Sequence, residues 1–140
     1  MNRACWAVAS DGRYWIDVAL GTNPCRLMLD TGLTDRAGVV GFDLAPTDYD
    51  RMGRSGQLLA AGPRMRQDAS GAWVWLRCGF LAAQLLDPVT RVGIGAPVRC
   101  LAVRNFANVP SRVGVVFFHG LAGCRVVWEL DTRIWCVEYP

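Results

Sequence analysis

The sequence contains no lysine: all 15 of its basic residues are arginine, and histidine occurs once, at His119. The arginines are scattered along the chain, and the net charge is only +3. A nucleic-acid binder would gather them on one stripe with interleaved aromatics, so no such partner is expected. The six cysteines (5, 25, 78, 100, 124 and 136) include no C-x-x-C pair, which leaves a zinc site without support. No metal or other cofactor is implied. No apolar run is long enough to span a bilayer; the longest, residues 113–121, is interrupted by His119. No membrane partner is therefore expected. The opening residues lack an adequate apolar segment and a cleavage site for secretion. The expectation is a cytoplasmic protein whose cysteines are buried or half-buried free thiols acting as small hydrophobes, not three disulfides.

What the sequence does contain is apolar residues, 52% of the chain, which excludes disorder. At 140 residues it can bury a real core as one domain, 1–140, with no room for two lobes. Strand formers recur in short segments between Gly and Pro signals. The expected strands are 5–9, 14–20, 25–29, 38–40, 72–78, 81–86, 98–103, 125–130 and 134–139. Thr47-Asp48-Tyr49-Asp50 has the N-cap and acidic residues of a short helical turn, and 117–122 is expected as the helix proper. The pattern predicts an all-β fold, closed or sandwich-like.

One tripeptide carries chemistry. Residues 14–20 alternate, with Trp15, Asp17 and Ala19 on one face and Tyr14, Ile16, Val18 and Leu20 on the other. Gly21-Thr22-Asn23-Pro24 supplies turn residues, residues 25–29 return, and Asp30-Thr31-Gly32 follows the apolar Leu27-Met28-Leu29. An aspartate leaving a buried strand into a Thr-Gly turn can be presented beside a second carboxylate. Two carboxylates in contact cannot both ionise freely; they share a proton and act as base and acid on one water. Far downstream, Gly93, Gly95 and the strand at 98–103 precede Val113-Gly114-Val115-Val116-Phe117-Phe118 and a final pair of strands.

The string from Tyr14 to Gly32 resembles the opening of the pepsin and retropepsin families of aspartic peptidases, and the downstream order is similar to the closing half of a retropepsin domain. The resemblance touches both ends of the chain; residues 36–70 match nothing in it. It implies a single-domain closed β-barrel of the retropepsin, or acid protease, type with one short C-terminal helix. It also implies roles: Asp30 as the catalytic carboxylate, Thr31 bonding across a two-fold axis, Gly32 letting its N–H approach the carboxylate, and Gly114 at the floor of the site. A mobile hairpin, or flap, is expected to close over substrate, with Asp68-Ala69-Ser70-Gly71-Ala72-Trp73 as its candidate tip and Ser70, Gly71, Ala72 and Trp73 on substrate. Gly53-Arg54-Ser55-Gly56 is an alternative tip.

Only one complete motif exists. Leu130-Asp131-Thr132-Arg133 begins in the same way, but Arg133 stands where glycine is needed. The second carboxylate must then come from a second copy, which implies a homodimer acting on a peptide or protein substrate. The terminal strands of both subunits are expected to interleave in one sheet. The chain departs from the family pattern at Leu33, where a small residue is usual, at Arg112, where an apolar residue usually precedes the Val-Gly pair, and at Val115-Val116, where polar residues are usual. Two functions follow: an aspartic endopeptidase, or a retropepsin-like dimerisation or peptide-binding module without turnover.

Overall fold

The computed structural model describes residues 1–33, 35, 37–68, 70–106 and 108–140. A hairpin built from β2 (Trp15–Leu20) and β3 (Asn23–Leu29) forms where alternation and turn chemistry place it. Its register runs from Trp15↔Met28 to Leu20↔Asn23, and Gly21 turns the chain at φ +60°, a conformation that side chains with a Cβ resist. Ile16, Val18 and Leu20 are completely buried, as their face of the strand requires. Asp17, on the opposite face, is buried as well. Trp6 of β1 (Asn2–Ala7) covers it and donates its indole N–H to the carboxylate at 2.9 Å, while Arg91 and Arg26 supply the compensating charge.

The hairpin belongs to a seven-stranded sheet in the order β2-β3-β8-β4-β7-β6-β5. Its remaining strands are β4 (Val40–Leu44), β5 (Leu59–Gln67), β6 (Trp73–Leu86), β7 (Gly93–Arg104) and β8 (Arg112–Val113). β2 also meets β6, from Val18↔Leu85 to Leu20↔Ala83, so the sheet curls back on itself. The all-β expectation holds, but the curl stops short of a true closed barrel. The narrowest link is β8, which offers two residue pairs to β3 and two to β4.

A separate three-stranded sheet, β1-β10-β9, is made from β1, β9 (Arg125–Glu129) and β10 (Ile134–Tyr139). Here the structure corrects two expectations. The terminal strands pair within one chain, from Asn2↔Tyr139 to Ala7↔Ile134, instead of reaching into a partner. Burying Ala4, Trp6, Trp135 and Val137 against the chain's own core is what holds them there. Cys5 and Cys136, directly opposite each other in this register, are joined by a disulfide and are not free thiols. Cys25, Cys78, Cys100 and Cys124 are free. Asp131-Thr132-Arg133 forms the tight β9–β10 turn, with Arg133 at φ 55°.

Two helices complete the chain. α1 (Pro46–Arg54) is longer than the turn expected from Thr47 and begins with a proline at its first turn, not with a side-chain cap. It buries Tyr49 and Met52 and is tied to β7 by a bidentate Arg104–Asp50 pair at 2.9 and 3.0 Å. α2 (Val115–His119) starts two residues before the helix expected at 117 and is shorter. Its Phe117 and Phe118 join a run of rings, Phe42–Phe117–Phe118–Trp135–Trp128, that links the large sheet to the terminal one.

Candidate active site

Asp30 is the first residue beyond β3, and its backbone N–H donates to the Val113 carbonyl of β8 at 2.9 Å. This bond extends the parallel β3–β8 pairing by one residue and fixes where the side chain leaves the sheet. The Gly32 N–H donates to Asp30 Oδ1 at 3.0 Å, and a Cβ on Gly32 would lie only 3.3 Å from the same oxygen. Thr31 and Gly32 are exposed, and the Asp30 side chain keeps 27% of its surface. The loop therefore faces outward, where a second molecule can reach it.

Gly114 lies directly beneath that loop. Its N–H donates to the Gly41 carbonyl at 2.9 Å, and a Cβ built on it would stand 2.6 Å from the Leu33 carbonyl oxygen. Only a residue without a side chain permits this approach. Leu33 itself is turned into the chain's own interior. It is 4% exposed and packs with Val40, Leu76, Cys78, Leu101 and Val103 in a small second core. The site residues Asp30, Thr31, Gly32 and Gly114 are thus brought together, with Leu33 as the packing between loop and floor.

The expected flap residues sit at the tip of the β5–β6 hairpin. Asp68 organises it: its Oδ1 accepts from the Ser70 hydroxyl at 2.6 Å and from the Ser70 and Ala72 N–H groups at 2.9 and 3.0 Å. The Ser70 hydroxyl bond, with the backbone bonds behind it, holds the Asp68 carboxyl below its ordinary range. Gly71 turns the chain at φ +88°. Ala69 lies outside the described residues. Ser70 and Asp68 line a cavity of about 450 Å³ together with Arg66, Gln67, Val74, Leu76, Asn105, Phe106 and Arg112. Trp73 is on the other face of the hairpin, exposed, and does not line this cavity. Gly53-Arg54-Ser55-Gly56, the alternative tip, is instead the end of α1 and the turn after it.

Two further residues complete the site: Asp43, which no motif marked, and Arg112, which stood out only as a departure from the family pattern. Arg112, on β8, donates from Nη1 to Asp30 Oδ2 at 2.8 Å, and its Nη2 contacts Asp43 Oδ2. Asp43, on β4 opposite Arg112 in the register, has no exposed side-chain surface and also accepts from Arg66 at 3.0 Å and Asn105 at 3.3 Å. Arg112 is where the large cavity and the Asp30 loop meet. The available signal was a single carboxylate inside the apolar segment Val39-Val40-Gly41-Phe42-Asp43-Leu44. His119 is exposed at the end of α2. Among the described residues no group of three or more His, Cys, Asp or Glu side chains is arranged to hold a metal, and no helix is long and apolar enough to cross a membrane.

The fold is similar to that of a retropepsin-like aspartic protease from Rickettsia conorii. The two share a TM-score of 0.62 across 99% of this chain and 90% of that one, at 15% sequence identity. The chain thus has a retropepsin-like fold. No family model and no curated protein matches its sequence.

Proposed function

We propose that this chain is one subunit of a homodimeric aspartic endopeptidase, with Asp30 of each copy supplying half of a carboxylate pair. The observation that carries this reading is the outward-facing Asp30-Thr31-Gly32 loop, held from below by Val113 and Gly114, on a retropepsin-like fold. One carboxylate would take a proton from water while its partner donates one to the scissile carbonyl, so no metal or covalent intermediate is needed. An extended peptide would lie between the loop and the β5–β6 hairpin, where the cavity offers Val74, Leu76 and Phe106 as apolar surface. Ser70, Gly71 and Ala72 would close over it. Thr31, exposed beside Asp30, would bond to the opposite subunit.

A second reading, a dimerisation or peptide-binding module without turnover, is favoured by one specific contact. Asp30 Oδ2 is engaged by Arg112 of its own chain. Cleavage of a mixed-peptide library at mildly acid pH separates the two readings. The expected outcome is that wild type cuts, that Asp30→Asn does not, and that both sediment as dimers. Equal cutting by both would remove Asp30 from the chemistry, and cutting by neither would leave the binding module.

A further inference from the structure

Arg112 is held through both terminal nitrogens of its guanidinium, one on Asp30 and one on Asp43. It stands on a two-residue strand between β3 and β4, and its far nitrogen is held by Asp43, a carboxylate with no solvent exposure. Swinging Arg112 away would leave Asp43 with Arg66 and Asn105 as its partners in a buried place, which is costly for a carboxylate. The guanidinium is therefore a fixed feature of the Asp30 surroundings. Arg112 from β8 faces Asp30, and behind it lies Asp43 from β4, which also accepts from Arg66 of β5 and from Asn105 beyond β7. Asp35 and Arg64 form their own pair at 2.8 Å on a neighbouring cavity.

We propose that Arg112 is a built-in counter-ion for the two-aspartate centre, a positioning residue that lets both Asp30 carboxylates stay ionised when the dimer forms. The inference rests on the reading of Asp30 as half of a pair. In a bare pair, repulsion between two negative charges obliges them to share a proton. With one guanidinium at each carboxylate, two negative charges face two positive ones and that obligation is relieved. The dimer then assembles at neutral pH without taking up a proton. The hydrolytic form, which needs the proton, is reached only in acid. Arg112 thus confines turnover to acid conditions while keeping the subunits together outside them.

The test is a double-variant cycle on the dimer dissociation constant, with a pH profile beside it. At neutral pH, wild type and Asp30→Asn are expected to dimerise equally. Arg112→Leu is expected to weaken the dimer about tenfold, because like charges then meet at the axis. Asp30→Asn in the Arg112→Leu background should restore it, and Arg112→Lys should stay near wild type. Cleavage by Arg112→Leu should extend to higher pH than cleavage by wild type. The pairing of Arg112→Leu with Asp43→Asn, which removes the charges of both partners, checks that any loss is not a folding defect. An unchanged dissociation constant in Arg112→Leu, or equal effects of Asp30→Asn in both backgrounds, overturns the counter-ion while leaving the peptidase reading standing. A protein that stays monomeric at every pH overturns both.

Discussion

Gly114→Ala tests whether the contact between the Asp30 loop and its floor is as tight as the geometry indicates. The new methyl group would stand 2.6 Å from the Leu33 carbonyl oxygen and 3.1 and 3.2 Å from Leu33 Cβ and Cγ. The nearest obstacle is backbone, so no rotamer change relieves it; either β8 or the loop must move. Overpacking of this kind costs about 2–3 kcal/mol. At roughly 2.1 cal/mol/K per residue, the unfolding entropy of this chain is about 0.3 kcal/mol/K, so the melting temperature should fall by about 7–10 °C. Thermal unfolding followed by calorimetry measures it directly. Gly62→Ala is the matched control, because nothing lies within 4 Å of its Cβ position; it should stay within about 0.5 kcal/mol of wild type. Adding Leu33→Ala to Gly114→Ala should not restore stability, since the carbonyl remains. Two glycine variants melting within about 2 °C of each other would refute the close approach.

Asp68, whose carboxyl is held below its ordinary value of 3.8 chiefly by the Ser70 hydroxyl, gives the hairpin tip a pH dependence. A group lowered in the folded state stabilises it above that ordinary value and ceases to do so as pH falls through the lowered one. Amide exchange at Ala72, corrected for the intrinsic rate, should therefore lose protection in strong acid. Asp68→Asn should abolish the pH dependence, and an identical profile in both proteins would contradict it. Without reductant, the unfolded chain should titrate four thiols and, after reduction, six; in the native protein at pH 8, Cys100 should stay unlabelled because burial pushes its thiol up to about 11. Six thiols without reductant would remove the Cys5–Cys136 bond. With a sequence separation of 131, chain-entropy reasoning makes Cys5→Ser cost about 5 kcal/mol in urea unfolding.

The β2–β3 hairpin and the loop after it were legible because their signals are local: alternation, a glycine turn, an apolar return strand. The middle was not. β4 is buried at every position and has no alternation to read, and α1 starts on a proline with no side-chain cap. β5 is largely exposed and contains Gly62-Pro63, which argues for a loop; pairing with β6, not its own composition, makes it a strand. β6 joins the two strands expected at 72–78 and 81–86 into one. In the structure Gly79 is a close-packing point against Leu58 and the Leu59 carbonyl within one continuous strand. At the site, Asp30 and Gly114 could be named from sequence. The Arg112–Asp43 pair could not, because it depends on β8 lying between β3 and β4, a long-range register that no local pattern encodes.

The ring run from Phe42 to Trp128 has an optical consequence. Trp128 and Trp135 face each other at 5.8 Å with their planes inclined by 59°, and Tyr14 meets Trp128 edge-on at 6.2 Å. Indoles this close share their excited states, so circular dichroism should carry a coupled doublet that vanishes when β9 and β10 separate. The molecule holds an unlabelled reporter for the pairing of its last two strands, readable separately from the chemistry at Asp30.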